Sequence, residues 1–252
     1  MSEKLKQTLV ESLGGEEGIR ERLFPKPGDR LYFPLADLLL VMKKVATSDS
    51  LTILDYGAGL APYSSLFPNS QYRRADIEAF ADPDYIISPD GGVSEKSNTF
   101  DVILSSQVLE HVSEPAIYLS ESFRLLKPGG RLFLTTHGSY EDHGCPYDFR
   151  RWTADGLKYD LKKAGFEILS MEKYATGPRA LLWFLQMFLS HPRWSPSRKT
   201  LLGICHWLCR FVPLRWIHMQ ADRLYPDCRV VSADVHGHNI YLGLSACAQR
   251  PL

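Results

Sequence analysis

Three acidic side chains follow short apolar segments of the chain, where α/β proteins commonly place ligand-binding groups. Asp55 ends the segment "TILD", Asp76 ends "YRRAD", and Asp90 follows "DYIISP". A carboxylate can accept hydrogen bonds from an ammonium group, from ribose hydroxyl groups or from an exocyclic amine. Any one of them alone would usually be a solvated loop residue. Because the carboxyl ends of parallel strands meet at one edge of a sheet, the three together predict a single crevice lined with hydrogen-bond acceptors.

The glycine-containing loop "LDYGAG" (54–59) is open to three interpretations. It could be only a tight turn in which glycine adopts a conformation that other residues avoid. A dehydrogenase fingerprint would need a third glycine at position 62, where the chain has Pro62. In the third interpretation, Asp55 accepts hydrogen bonds from the ammonium group of a nucleotide that carries an amino acid. The positions of Asp76 and Asp90 further along the chain favour this third interpretation.

Histidines and one aspartate further along the chain are candidates for proton transfer. His111 is expected at the start of the helix after the fourth strand, where it could act as a base or contact the substrate; it could equally be satisfied by backbone groups. The loop 136–153 follows the fifth strand and could face an acceptor. Asp148 in that loop could instead belong to a surface ion pair. The candidate catalytic residues are His111, His137, His143 and Asp148.

No metal ion is expected, because histidine and carboxylate residues are present without a tight ligand spacing. The five cysteines are odd in number, scattered and free of any CxxC spacing. This argues against a disulfide framework and against a zinc–cysteine site, and it favours a reducing compartment.

Charge and hydropathy narrow the range of partners. Lys plus Arg and Asp plus Glu are both 29, so no nucleic acid is expected. The N-terminal segment lacks the apolar core of a signal peptide, and no apolar run approaches the roughly 20 residues that span a bilayer. The sequence therefore predicts a cytoplasmic protein, with peripheral membrane contact as the remaining option.

Short strands alternate with helices from residue 51 onward. An amphipathic helix ending at Gly14 and a second helix, from Pro34 to near Val45, precede them. The predicted strands cover 51–56, 72–77, 84–88, 100–106, 130–136, 166–174 and 238–246, with helices near 115–126 and 153–165 between them. Alternating strands and helices predict an α/β fold with a doubly wound, mostly parallel sheet.

Five motifs occur in order across residues 51–174: "ILDYGAG", "ADI", "FDVILSSQVLEHV", "LKPGGRLFLTT" and "GLKYDLKKAGFEIL". As a set they resemble the class I S-adenosylmethionine-dependent methyltransferases, especially the group with "LEH" after the fourth strand. The resemblance implies a Rossmann-like, seven-stranded sheet with a reversed last strand, which 238–246 would supply. Ala61 stands where many members have a third glycine, a small change.

The resemblance also implies roles for the residues of the crevice. Asp55 and the backbone of the glycine loop would hold the methionine moiety of S-adenosylmethionine, Asp76 the ribose and Asp90 the adenine, and Ser106 and Gln107 would lie on the sulfonium side. The residues expected to bind the cofactor are Asp55, Tyr56, Gly57, Ala58, Gly59, Asp76, Ile77, Asp90, Gly91, Ser106 and Gln107.

The predicted organisation is one core with additions. N-terminal helices (1–50) would cap the cofactor site, 51–174 would form the cofactor-binding core, and 238–252 would complete its sheet. The helical insertion 175–237 contains four of the five tryptophans and eight lysine or arginine residues. It could cap the acceptor pocket, lie on a membrane surface, or pack on the core or on a second subunit of a homodimer.

The expected function is transfer of a methyl group from S-adenosylmethionine to a small-molecule, glycan or lipid-linked acceptor, at oxygen rather than nitrogen. Two alternatives remain from the residues themselves. One is a catalytically silent methyltransferase-like module that binds cofactor or a partner chain. The other is a nicotinamide-dependent reductase.

Overall fold

The computed structural model describes residues 15–77, 82–144, 147–190 and 212–252. In these residues the helices are α1 (Gly15–Leu23), α2 (Tyr32–Val45), α3 (Pro115–Leu125), α4 (Ala154–Lys163), α5 (Pro178–Ser190) and α6 (Leu214–Leu224). The strands are β1 (Thr52–Tyr56), β2 (Gln71–Asp76), β3 (Tyr85–Ile86), β4 (Phe100–Ser106), β5 (Leu126–His137), β6 (Glu167–Thr176), β7 (Val230–Ser232) and β8 (Tyr241–Gln249). The predicted helix before Gly14 lies outside the described residues.

The eight strands form one sheet in the order β3-β2-β1-β4-β5-β8-β6-β7. Neighbours from β3 to β5 are parallel, whereas β8 runs antiparallel to both β5 and β6. The predicted α/β fold, its mostly parallel sheet and its reversed last strand are confirmed. The sheet has one strand more than expected, because the three residues of β7 pair with β6 at its edge.

The central strands are buried because helices cover both faces of the sheet. On one face, Leu54 and Ile103 pack in a cluster with residues of α3 and α4. On the other, Ile53 packs in a cluster with residues of α2, α5 and α6. Strands buried on both sides are expected to be almost continuously apolar, as "TIL" and "VIL" are. Asp55, next to last in β1, and Ser106, the last residue of β4, lie at the same edge of the sheet.

Two boundaries between the fourth and fifth strands differ from the sequence prediction. The segment "KPGG" belongs to β5, which begins at Leu126, and α3 ends at Leu125. His111 closes a short 3₁₀ turn, Leu109–His111, before α3 begins at Pro115. The prediction that His111 starts the helix is therefore wrong. Proline fits the first turn of a helix, where its missing N–H is not needed, and this sets the start of α3.

The insertion packs on the N-terminal half of the chain through a buried ionic network. Arg179 on α5 is fully buried and donates to Asp37 on α2 at 2.8 and 2.9 Å and to Asp222 on α6 at 2.6 Å. Arg229 also donates to Asp37, at 2.7 Å. The network joins three helices and the turn before β7. This packing on the protein's own core is one of the arrangements expected for the insertion.

Only one face of the two insertion helices is buried in this way. Trp183 on α5 is fully buried, whereas Trp216 on α6 is 56% exposed. Leu181 and Leu185 on α5 and Met219 on α6 are about half exposed. The other two tryptophans of the insertion, Trp194 and Trp207, lie outside the described residues.

Candidate active site

A cavity of about 1150 Å³ opens at the carboxyl edge of the parallel strands. Its volume is slightly above the range of ordinary ligand pockets, roughly 300–1,000 Å³. The sequence-predicted residues that line it are Asp55, Gly57, Ala58, Gly59, Asp76, Ile77, Asp90, Gly91, Ser106, Gln107, His111, His137 and His143. Two other predicted residues, Tyr56 and Asp148, are not among the described lining residues.

The glycine loop turns sharply away from β1 toward the cavity. Gly57 has a φ of 86°, and its N–H donates to the carbonyl of Ala75 at 2.8 Å. A Cβ at this position would lie 2.5 Å from a methyl carbon of Val108. Both the backbone angle and the close approach therefore require glycine. The loop keeps the chain between Asp55 and Gly59 open to the cavity.

Asp55 provides a carboxylate at the base of the cavity. It is 3% exposed and accepts a hydrogen bond from the hydroxyl of Tyr72 at 2.6 Å. Burial raises its pKa to about 7. A buried carboxylate is costly in the charged form, and a cation bound beside it would lower that cost. Asp55 is thus suited to an ammonium group.

Asp76 lies across the glycine loop from Asp55, at the end of β2. Its two oxygens accept from the backbone N–H groups of Gly59 at 2.5 Å and Ile77 at 2.7 Å. Burial raises its pKa to about 6, and these two hydrogen bonds oppose the shift. Each carboxylate oxygen keeps a second lone pair, so Asp76 can still accept from a pair of hydroxyl groups.

Asp90 and Gly91 line the cavity after β3. Asp90 is exposed, and hydrogen bonds from the Ser88 hydroxyl at 2.5 Å and the Gly92 N–H at 3.3 Å lower its pKa. Tyr56 reaches the same loop from behind, because its hydroxyl donates to the carbonyl of Gly91. Tyr56 was predicted to contact the cofactor, but its side chain is fully buried below the loop and is not among the described residues that line the cavity.

Ser106 and Gln107 close the side of the cavity formed by β4. Gln107 has a φ of 57°, and its side-chain amide donates to Thr135 at 3.1 Å and to the Tyr174 hydroxyl at 2.9 Å. Its backbone N–H donates to the Thr135 carbonyl at 3.0 Å. These contacts fix the turn after β4 and place Tyr174, which the sequence did not single out, on the cavity wall.

His111 lines the cavity with one ring nitrogen already engaged. Its Nδ1 lies 2.6 Å from the carbonyl oxygen of Tyr147, a distance that requires a proton on Nδ1 as donor. The other nitrogen, Nε2, then carries the lone pair. Burial lowers the pKa of His111, so the neutral ring is the main form near neutral pH.

Glu110 and His137 meet behind His111, and the sequence did not single out Glu110. Glu110 is fully buried and accepts from the Thr136 hydroxyl at 2.8 Å. Its other oxygen, Oε1, lies 3.2 Å from Nε2 of His137. Burial raises the pKa of Glu110 to about 7 and holds that of His137 well below its usual range. Glu110 is part of the "LEH" motif, but its contact with His137 on β5 could be found only from the fold.

His143 faces the same region, with Asp148 behind it. Nδ1 of His143 lies 3.2 Å from the Glu141 carbonyl and 3.4 Å from Asp148. Asp148 pairs with Arg151 at 2.5 and 2.6 Å; although burial opposes the shift, this pairing lowers its pKa to about 2. Asp148 was predicted to be catalytic, but it is not among the described residues of the cavity wall. Its carboxylate instead positions His143 and Arg151.

Residues before β1 form another part of the wall. Arg22 and Arg30 line the cavity together with apolar residues of the same region. Arg30 pairs at 3.3 Å with Glu141, which lies in the loop after β5. Tyr140 in that loop also lines the cavity and stacks on the buried Trp183 of α5, with ring centroids 4.7 Å apart. Among the described residues, the insertion thus supports the wall from behind.

The fold and the cavity together define a class of protein. A parallel sheet carries a glycine loop, two buried carboxylates and a third acidic residue at adjacent strand ends, as expected for binding a nucleotide with an amino-acid moiety. The family model described as "Methyltransferase domain" matches residues 20–171, more than half of the chain. The chain therefore belongs to the methyltransferase domain family, and the resemblance to class I S-adenosylmethionine-dependent methyltransferases, with S-adenosylmethionine as cofactor, is confirmed.

The curated relatives match over segments of the chain. A ubiquinone/menaquinone biosynthesis C-methyltransferase of Ruegeria sp. (strain TM1040) is 28% identical over 152 residues, 58% of this chain and 53% of the relative. A ubiquinone biosynthesis O-methyltransferase of Xanthomonas oryzae pv. oryzae (strain PXO99A) is 38% identical over 65 residues, 25% of this chain and 27% of the relative. The chain thus matches about half or less of the length of these relatives.

Solved structures show the same fold at low identity. Phosphoethanolamine N-methyltransferase 2 of Haemonchus contortus, in complex with S-adenosyl-L-methionine, has a TM-score of 0.52 at 16% identity and covers 98% of this chain and 60% of its own. The [4+2]-cyclase SpnF has a TM-score of 0.56 at 18% identity, covering 98% and 95%. One fold thus serves different reactions, and the reaction must be argued from the site.

The described part of the chain also bears on membrane insertion. None of its helices combines the length and the apolar composition needed to cross a bilayer.

Proposed function

We propose that the protein transfers the methyl group of S-adenosylmethionine to a hydroxyl oxygen of an acceptor bound in the same cavity. One observation carries the proposal: Asp55, Asp76 and Asp90 share one cavity with a histidine, His111, whose free ring nitrogen can accept a proton. When bound, S-adenosylmethionine supplies an electrophilic methyl group on a sulfonium. The protein has to hold both partners in line, exclude water and remove the proton of the hydroxyl.

The roles proposed for the cofactor-binding residues follow from their partners. Asp55 has a single hydrogen bond among those described and can receive an ammonium group. Asp76 retains a lone pair on each oxygen for the ribose, and exposed Asp90 can accept from the adenine amine. Ser106 and the backbone at Gln107 line the cavity between these groups and the histidines.

His111 is the proposed base for the acceptor hydroxyl. Its Nδ1 proton is held by the Tyr147 carbonyl, which orients the ring and leaves Nε2 to accept a proton. Burial keeps its pKa below the ordinary value, so it is neutral and competent around neutral pH. A positioned base contributes roughly 10²–10⁴-fold to such a reaction.

The proposed acceptor is an apolar or aromatic molecule that bears a hydroxyl group, including one attached to a lipid. Leu31, Leu35, Leu38, Tyr140 and Ile117 line the cavity and suit an apolar body. The relative named ubiquinone biosynthesis O-methyltransferase supports methylation of an acceptor at oxygen. A small polar acceptor or a glycan would gain less from these side chains.

Calorimetry with S-adenosylhomocysteine tests the cofactor site. We expect Asp55→Ala to weaken binding at least 10-fold, because a hydrogen bond to a charged group is worth about 1.5–3 kcal/mol. Asp101→Ala is the matched control, because Asp101 pairs with Lys127 at 2.7 Å and does not belong to the described cavity wall. Equal affinity in Asp55→Ala and wild type would contradict the assignment.

The same titrations separate the alternatives. A silent methyltransferase-like module would bind S-adenosylhomocysteine but would form none from S-adenosylmethionine with any hydroxylated acceptor. The SpnF cyclase, which has the same fold, serves another reaction. A nicotinamide-dependent reductase would bind NADH instead. The family match favours the methyltransferase over this last alternative.

A further inference from the structure

Three side chains from separate parts of the chain converge beside the proposed acceptor region. Glu110 comes from the turn after β4, His137 from the end of β5, and His143 from the loop that follows. One possible ligand atom from each lies within 4.8 Å of those of the other two. His137 and His143 line the cavity, so this cluster is open to a ligand from that side.

Two polar atoms of the cluster have no hydrogen-bond partner within the described part of the chain. They are Oε1 of Glu110, which is fully buried, and Nδ1 of His137, which is 6% exposed. Nε2 of His137 lies 3.2 Å from Oε1 without the alignment of a hydrogen bond. Unsatisfied buried polar atoms are costly. A cation held between Oε1 of Glu110 and Nε2 of His137 would give Oε1 a partner, and Nδ1 of His137 would then carry the ring proton. A separation of this size also suits two ligands of one tetrahedral cation, which stand about 3.3 Å apart when each bond is about 2 Å.

The surroundings of the cluster resemble the outer shell of a metal site. The Glu141 carbonyl and Asp148 lie 3.2 and 3.4 Å from Nδ1 of His143, so a proton on Nδ1 would leave the lone pair on Nε2. Thr136 donates to the second oxygen of Glu110. Such outer contacts orient histidine and carboxylate ligands in metalloproteins. The nearby guanidinium of Arg151 is neutralised by Asp148 and need not repel a cation.

We propose that Glu110, His137 and His143 bind one divalent transition-metal ion at the wall of the cavity. Two imidazoles and one carboxylate suit Zn²⁺ and other first-row divalent ions, with positions left open toward the cavity. This site rests on the proposed function in one respect: an acceptor hydroxyl bound to the ion would lose its proton more easily, which would assist His111. The ion itself is bound whether or not the reaction is methyl transfer. It would also replace the sequence-based expectation of no metal, because the ligands are brought together only by the ends of β4 and β5.

Zn²⁺ titration of the full chain after removal of metal by a chelator tests the site. We expect one equivalent to bind to the wild type, and Co²⁺ to give the visible absorption of a site with mixed nitrogen and oxygen ligands. His143→Ala and Glu110→Gln should each abolish the stoichiometric binding. Asp148→Asn should weaken it by about 10–100-fold, as expected for an outer-shell partner. His111→Ala is the matched control, because His111 lies 5.0 Å from His143 by ring centroids but outside the cluster, and it should retain the ion.

Calorimetry with S-adenosylhomocysteine on the same samples separates the two proposals and reports whether each variant is folded. Cofactor binding without stoichiometric Zn²⁺ binding to the wild type would overturn the metal site alone. Zn²⁺ binding without cofactor binding would contradict the proposed function and leave the metal site standing. If Glu110→Gln fails to fold, His143→Ala decides, because His143 is only partly buried. Equal Zn²⁺ affinity in His143→Ala and wild type, or loss of the ion only in His111→Ala, would also overturn the site.

Discussion

At the scale of single residues, Asp55 shows how a binding group can cost stability. Its pKa is about 7 in the folded protein, against an ordinary value near 4, and burial is the main cause. The native state therefore binds more protons than the unfolded chain between these values, so this group's contribution to stability falls as the pH rises through that window. A cation bound beside the carboxylate would recover the loss. Asp55 therefore destabilises the protein most when the ligand is absent.

This argument predicts opposite effects of Asp55→Asn on stability and on binding. At about pH 8 and without ligand, the free energy of unfolding of the variant should exceed that of the wild type by at least about 1.4 kcal/mol, the equivalent of one pKa unit, because the variant buries no charge. Binding of S-adenosylhomocysteine should weaken, and wild-type affinity should fall about 10-fold from about pH 8 to pH 6 as Asp55 takes up a proton. Urea unfolding and calorimetry measure both. A variant less stable than wild type at about pH 8 would contradict the burial argument.

His111 gives a second prediction at this scale. His111→Ala should lower kcat about 10²–10⁴-fold, while the affinity for S-adenosylhomocysteine stays within a factor of two or so. Because its pKa is below the ordinary value near 6.5, kcat of the wild type at saturating cofactor should fall only when the pH drops below that value. Steady-state kinetics from acid to neutral pH checks this. An unchanged acid limb in the variant would exclude His111 as the base.

At the scale of elements, the turn after β1 depends on one glycine. Gly57→Ala should destabilise the protein by about 1–3 kcal/mol for backbone strain, plus the cost of displacing Val108. Gly237→Ala is the matched control, because Gly237 has a φ of 91° and no described atom lies within 4 Å of the point where its Cβ would stand. The difference between the two variants measures the clash alone. Measured against Val108→Ala alone, Gly57→Ala should cost less than it does in the wild type, because the two methyl carbons at 2.5 and 2.6 Å are gone and only the Val108 Cβ at 3.1 Å remains. An equal cost in both backgrounds would contradict the packing argument.

The ionic network under the insertion predicts a larger effect. Asp37→Ala would leave Arg179 buried beside Asp222 alone, and breaking a buried pair in this way costs about 3–5 kcal/mol. Lys44→Ala is the control on the same helix, because its pair with Glu172 is exposed and worth about 1 kcal/mol or less. Urea unfolding measures both free energies. Equal losses would show that the network adds nothing beyond a surface pair.

These elements also show what the sequence could and could not predict. The strands around Asp55 and Asp76 were predictable because apolar runs and turn residues are local signals. The strand β7 was not, because Val230–Ser232 is too short to give a periodic pattern. The convergence of Glu110 with His137 was hidden for another reason: it depends on β4 and β5 being neighbours in the sheet, which no local spacing reveals. The support of Tyr140 by Trp183 has the same origin.

At the scale of the whole molecule, the insertion divides into an inner and an outer face. The inner face carries Arg179 and Trp183, which are fully buried against α2 and the cavity wall. The outer face carries Trp216, Met219 and Leu181, all more than half exposed. On α5, the two sides thus have different environments: Trp183 stacks on Tyr140 of the cavity wall, whereas Leu181 is exposed.

We expect this outer face to bind anionic lipid vesicles. The exposed Arg215 and Arg223 flank Trp216 and Met219 on α6, an arrangement that suits the interface of a negatively charged membrane. In flotation assays, the double variant Trp216→Ser, Met219→Ser should lose vesicle binding, whereas Leu169→Ser, which changes a similarly exposed apolar residue on β6, should keep it. Wild type that fails to float but sediments as a dimer, disrupted by the same double variant, would instead assign this face to a second copy of the chain. Membrane binding through α6 would place the cavity near a lipid-linked acceptor, because α6 and α5 are joined by the Asp222–Arg179 pair and Trp183 on α5 stacks on Tyr140 of the cavity wall.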